Sequence, residues 1–121
     1  MRILLVDDDP IIRMDLAESL AAQGHEVLEA ATGRDAWKLI EDPDHIEMVI
    51  TDLHMSNGNG VTVAVKARQH HFDVPVLFIT GRSDLLILEQ VPHPYSYLQK
   101  PFTPEQFMLA VEKGLTTRPL R

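Results

Sequence analysis

Short apolar runs alternate along this chain with stretches of helical periodicity, and that alternation limits the fold more than any other feature. Ile3-Leu4-Leu5-Val6, Met48-Val49-Ile50-Thr51 and the body of Val74–Thr80 are nearly continuous in apolar or β-branched residues. Runs of this kind suit strands buried on both faces. The first strand is expected over Arg2–Val6 and the third over Met48–Asp52. His25–Ala30 reads as a half-buried strand, and Tyr95–Leu98 as a fifth, weaker one. Between them lie helical patterns. Pro10–Gln23 repeats Ile12, Leu16 and Leu20 every four residues, Asp35–Glu41 places Ala36, Trp37 and Ile40 on one face, and Val61–His70 follows a glycine-rich turn. Strands that alternate with helices make a parallel sheet covered on both sides, a doubly wound α/β fold.

Local punctuation agrees with this reading. Asp9 is suited to cap the first helix, with Pro10 in the first turn, where a missing N–H costs nothing. Gly24 stops that helix. Ser56-Asn57-Gly58-Asn59-Gly60 is a strong turn signal. Thr103-Pro104-Glu105-Gln106 opens the last helix with a hydroxyl cap, a proline and a glutamine three residues after the cap. That helix is expected to run to Lys113 and stop at Gly114. Residues 1–115 make one domain, and 116–121 a short polar tail.

In doubly wound sheets, ligands bind beyond the carboxyl ends of the strands, where the strand order reverses. The polar residues at the predicted strand ends are Asp7-Asp8-Asp9, Asp52, Thr80 and Lys100. Each has an ordinary explanation alone: a helix cap, a loop cap or a surface lysine. Together on one rim, acidic groups facing a single lysine suit a divalent cation and a phosphoryl group.

Composition narrows the classes. The net charge is −7, from 18 acidic and 11 basic residues, which argues against nonspecific binding to nucleic acid. There is no cysteine, so disulfides and thiolate metal sites are excluded. No apolar stretch approaches the length of a membrane span, and a cytoplasmic location is expected. The six histidines show no zinc-ligand spacing, and a solvated or partly packed state is expected for them.

Four segments, each at a strand end, now carry a resemblance: Val6-Asp7-Asp8-Asp9, Ile50-Thr51-Asp52-Leu53-His54-Met55, Phe78-Ile79-Thr80-Gly81 and Tyr97-Leu98-Gln99-Lys100-Pro101-Phe102. The chain resembles a response-regulator receiver domain of two-component signalling over nearly its whole length. The resemblance implies a flavodoxin-like fold with strand order 2-1-3-4-5. It implies transfer of a phosphoryl group from a histidine kinase or histidine phosphotransfer protein to Asp52, with magnesium (Mg2+) as cofactor. By motif, Asp8 is the direct metal ligand of the acidic pair, Asp7 acts mainly through water, and the His54 backbone carbonyl is a third ligand beside Asp52. Thr80 and Lys100 hold the phosphoryl oxygens, Tyr97 is the aromatic switch, and Lys100-Pro101 resembles the family's cis peptide. The output is a surface that engages a downstream protein, with no DNA-binding module. A Thr-Gly pair at Thr80-Gly81 also resembles stand-alone receivers of alphaproteobacterial stress signalling.

The chain departs from the pattern in three places. Ser56 stands where proline is common, and Gly81 where alanine is common. Between Thr80 and Lys100 the segment is short, with Val91-Pro92-His93-Pro94 before the last strand. A helix of about two turns over Ser83–Glu89 is expected there, apolar on all sides, as the element that phosphorylation reorders. This departure weakens the case for the family's usual dimer. Two other classes compete. A haloacid-dehalogenase-type phosphatase would use Asp7 and Asp9 as nucleophile and acid, and a pseudo-receiver would bind partners without phosphorylation.

Overall fold

The computed structural model describes residues 1–42, 44–55, 58–81 and 95–116. The elements, in order, are β1 (Arg2–Val6), α1 (Pro10–Ala22), β2 (Glu26–Ala30), α2 (Gly33–Glu41), β3 (Met48–Asp52), β4 (His54–Met55), β5 (Gly58–Asn59), α3 (Gly60–His70), β6 (Val76–Thr80), β7 (Tyr95–Gln99) and α4 (Pro104–Thr116). The expected helix at 83–89, the middle of the glycine-rich turn and most of the tail lie outside the described residues.

Five parallel strands form the main sheet in the order β2-β1-β3-β6-β7. Counting only these five strands, this is the expected order 2-1-3-4-5. The chain winds from β1 outward to β2, then returns past β1 to β3. The carboxyl ends of β1 and β3 therefore flank the reversal, where a crevice opens.

Alternation along the central strands divides the core in two. Leu4, Val6 and Val49 point to one face, against Ala36 and Ile40 of α2 and Val61, Ala64 and Ala67 of α3. Ile3, Leu5, Ile50 and Leu77 point to the other, against Leu16 and Leu20 of α1 and Phe107 and Val111 of α4. All these positions are buried, so both faces of the central strands are covered, with Asp7, Asp52 and Thr80 at or just past their carboxyl ends.

The expected caps form. Asp9 accepts from the N–H groups of Ile11 and Ile12. The Thr103 hydroxyl accepts from Gln106 N–H, while the Gln106 side chain accepts from Thr103 N–H, a reciprocal capping box.

Three expectations need correction. Trp37 is 42% exposed while Ala36 and Ile40 are fully buried, because a seven-residue pattern does not fix which flank of the stripe faces the sheet. Gly114 does not end α4, which continues to Thr116. His71 is buried: Nε2 donates to the Ile40 carbonyl at 2.9 Å and Nδ1 accepts from Ile46 N–H at 3.4 Å. Small shifts in element bounds, such as β2 starting at Glu26, reflect frayed ends. The two-stranded hairpin β4–β5, pairing His54 with Asn59 and Met55 with Gly58, was not expected.

Candidate functional site

Two strands deliver the acidic cluster. Asp7 and Asp8 follow β1, where Asp7 N–H extends the ladder by donating to Ala30 at 3.1 Å. Asp52 is the last residue of β3, beside β1 on one side and β6 on the other. Carboxylate oxygens of Asp7, Asp8 and Asp52 all lie within 4.8 Å of one another. Asp7 is 1% exposed and Asp52 7%, so two of the three charges are largely out of water.

Lys100 completes the group from β7. Its backbone N–H donates to the Thr80 carbonyl at 2.8 Å, fixing the end of the edge strand against β6. Its Nζ then reaches Asp52 Oδ2 at 3.2 Å and Asp7 Oδ2 at 3.8 Å. The Lys100-Pro101 peptide is cis, as the resemblance implies. Thr80 is buried at the end of β6. Tyr97 lies on β7 in register with Phe78, with half its surface exposed.

The two oxygens of Asp7 have different surroundings. Oδ1 accepts from Asp9 N–H at 2.8 Å, which holds the carboxylate in place. Oδ2 is buried and, among the described residues, has no hydrogen-bond partner. Burial pushes the Asp7 carboxyl above its ordinary value, and the neighbouring Asp52 and Asp8 charges push the same way. The Asp9 N–H and Lys100 pull it down without cancelling the rise.

A buried carboxylate oxygen lacking a donor is a position suited to a cation. The all-oxygen donor set suits magnesium rather than a softer metal. Neighbouring ligand oxygens around one magnesium are about 3–4 Å apart, close to the spread of this cluster. The residues present fit the ion. His54 contributes from its backbone: its N–H donates to Asp52 Oδ1 at 3.2 Å, so the other Asp52 oxygen is the one nearer Lys100. The His54 ring Nε2 is buried and has no partner among the described residues. Asp9 caps α1 through its Oδ1.

One contact had no sequence signal. Arg13, on the second turn of α1, donates from Nη1 to the Asp7 backbone carbonyl at 2.7 Å. No side-chain pattern reveals a bond to main chain six residues earlier.

The fold and site together define a small α/β domain: a doubly wound sheet with a carboxylate cluster and a lysine at its switch point. Comparison with known proteins makes the class specific. The family model of the response regulator receiver domain matches residues 3–112, and the chain belongs to that family. It is 31% identical over 123 residues to a chemotaxis protein CheY homolog of Campylobacter jejuni, covering 97% of this chain and 94% of that protein. It is 29% identical to the phyllosphere-induced regulator PhyR of Methylorubrum extorquens, covering 93% of this chain but 43% of that protein. Among solved structures, a response regulator receiver protein of Sinorhizobium medicae superposes with a TM-score of 0.90 at 29% identity, covering 98% of this chain and 97% of that one. Among the described residues, no helix is long and apolar enough to cross a membrane.

Proposed function

We propose that this chain is a single-domain response regulator, with the receiver over residues 1–115, that accepts a phosphoryl group on Asp52. The donor is a histidine kinase or a histidine phosphotransfer protein, and the cytoplasm is the site of action. The observation that carries the reading is the position of Asp52. Its carboxylate lies 3.2 Å from the Lys100 ammonium and within 4.8 Å of carboxylate oxygens of Asp7 and Asp8.

The chemistry follows from charge. An ionised carboxylate approaching a phosphoryl group meets like charge, so the site has to supply positive charge where the two come together. Magnesium, when bound, supplies Lewis-acid neutralisation of the phosphoryl oxygens. Asp8, Asp52 and the His54 carbonyl would hold the ion directly, and Asp7 would hold it mainly through water. Asp52 then attacks phosphorus through one oxygen, the phosphorus–nitrogen bond of the donor histidine breaks, and the leaving imidazole takes a proton from solvent. Lys100 stays beside the new phosphoryl oxygens as a compact positive charge. The Thr80 hydroxyl donates to one of them.

The output is a change of surface. A phosphoryl contact at Thr80 stabilises only an arrangement in which Thr80 reaches it, and Tyr97 on the neighbouring strand follows that movement. A downstream protein reads the altered face. The domain turns over no other substrate: it phosphorylates itself and loses the group to water.

Intact-mass measurement after incubation with acetyl phosphate and magnesium tests the reading. The native chain is expected to gain one phosphoryl group and Asp52→Asn none. A native chain that gains nothing and binds no magnesium would instead be a pseudo-receiver.

A further inference from the structure

We propose that Arg13 is a positioning residue for the acidic pair, setting the orientation of the peptide that joins Asp7 to Asp8. The inference rests on the receiver reading above and adds a residue to its machinery.

The argument starts with the end of β1. Asp7 lies one residue past the strand and is almost fully buried, so its backbone groups need partners within the protein. Its N–H has the Ala30 carbonyl at 3.1 Å. Its own carbonyl receives Arg13 Nη1 at 2.7 Å. The same guanidinium places Nε 3.4 Å from Glu29 Oε1, on the residue next to Ala30. One rigid, planar group thus ties α1, the exit of β1 and the end of β2 together.

That carbonyl is not an incidental acceptor. The C=O of Asp7 and the N–H of Asp8 belong to one planar peptide unit. Holding the oxygen fixes the plane, and with it the directions in which both side chains leave the backbone. Asp7 is steadied on the other side by Asp9 N–H on its Oδ1. Without Arg13 the plane loses this anchor, and the carboxylates lose their common focus.

Two effects of Arg13 oppose each other. As a nearby cation, it weakens binding of a second cation. As an anchor, it strengthens binding by preorganising the ligands. Removing it therefore gives a result whose sign separates the two.

The test is a calorimetric magnesium titration of the full chain in four forms: native, Arg13→Met, Arg13→Lys and, as a stability control in the same helix, Ala17→Gly. Thermal unfolding without metal and the rate of acetyl phosphate labelling at saturating magnesium are measured on each. Arg13→Met is expected to bind magnesium about tenfold more weakly, despite losing a repelling charge. Arg13→Lys, which keeps the charge but loses the fork, is expected to fall between it and the native chain. Ala17→Gly should lower the unfolding temperature and leave affinity unchanged. At saturating magnesium, the labelling rates of the Arg13 variants should return toward the native rate.

Arg13→Met binding as tightly as the native chain, or more tightly, would overturn the proposal. So would an equal loss of affinity in Ala17→Gly. If Arg13→Met does not fold, Arg13→Lys decides alone, since native affinity there excludes any need for the fork. A native chain that binds no magnesium would bring down the proposed function itself. Native binding with unaltered Arg13 variants would bring down this inference only.

Discussion

Lys100 and Asp52, 48 residues apart in sequence, meet at 3.2 Å across the carboxyl edge of the sheet. The Lys100 side chain is about one-quarter exposed, and its ammonium faces a cluster holding three carboxylates. Lys100→Met keeps the apolar stem and removes the charge. Metal-free stability is expected to fall by about 1–2 kcal/mol, a buried-pair loss reduced by the partial exposure of the lysine. Magnesium affinity should rise, because a competing cation is gone. Labelling of Asp52 by acetyl phosphate should slow by about 100-fold, the scale for loss of one preorganised charge donor. Urea unfolding in chelator, calorimetry and intact mass check the three outcomes, and a faster labelling rate would contradict the role given to Lys100.

Asp7 gives the pH dependence. Its folded pKa is raised, first by burial and then by Asp52 and Asp8. The fold therefore binds this proton more tightly than the unfolded chain does, and the ionised form opposes folding. Stability from this group rises as pH falls through the raised folded value. The gain is complete below the ordinary value of 3.8. Asp7→Asn keeps an oxygen for Asp9 N–H and removes the charge. At neutral pH without metal it should stabilise by about 1 kcal/mol, roughly 4 °C in Tm. The gap to the native chain should close as pH drops toward that ordinary value. Added magnesium should raise the native Tm and leave Asp7→Asn nearly unmoved. Thermal scans across pH, with and without magnesium, measure this directly.

Much of this arrangement could be read from the chain, because strand ends are visible in sequence and a parallel sheet gathers them on one edge. Asp7, Asp8, Asp52 and Lys100 needed only the ends of apolar runs to be placed together. What could not be read depends on contacts between distant surfaces. Gly114 carries an ordinary stop signal, yet α4 passes through it, and a Cβ there would lie 2.8 Å from Met48 Cε. The glycine provides close approach to β3 and does not end the helix. Asn59 reads as part of a turn, but its side chain accepts from Thr62 N–H and caps α3, after a hairpin too short to show alternation. Arg13 acts on main chain and left no pattern at all.

His71 shows the same kind of hidden dependence at the opposite end of the sheet. Its ring joins the end of α2 to the residues before β3, through Ile40 and Ile46, and stands edge-on to His45 with centroids 5.8 Å apart. With Nε2 donating and Nδ1 accepting, both bonds require the neutral ring. His71→Ala would leave a buried carbonyl and a buried N–H without partners and open a cavity. A loss of about 2–4 kcal/mol is expected. Magnesium affinity should be unchanged, since the ring is remote from the acidic cluster. Urea unfolding and metal titration on the one variant test both statements. A variant that loses metal binding in proportion to stability would show the two ends to be coupled.

Gly60 sets how closely α3 can approach the acceptor. A Cβ added there would collide with the backbone carbonyl oxygen of Asp52 and lie 3.1 Å from Thr51 Cγ2. The Gly60 N–H donates to the Leu53 carbonyl at 2.9 Å, so the helix start is already bound to the strand end and cannot simply move away. Its φ is not positive, and the requirement is for room alone. Gly60→Ala gains helix propensity of up to about 1 kcal/mol but overpacks against main chain, at about 1–3 kcal/mol. The net expectation is a destabilisation of about 1–2 kcal/mol. The larger effect should be on chemistry. The obstructed carbonyl belongs to Asp52, the proposed phosphoryl acceptor, and His54 N–H bonds to that same side chain. Displacing the Asp52 peptide shifts its carboxylate relative to Lys100, and an error of about 1 Å is enough to cost 100-fold in rate. Acetyl phosphate labelling of Gly60→Ala at saturating magnesium should therefore slow well beyond the change in stability. Ala67→Gly, lower on the same helix, should destabilise α3 by a similar amount and label at close to the native rate. Equal labelling by the two variants would mean that crowding at Gly60 is absorbed by the helix and never reaches Asp52.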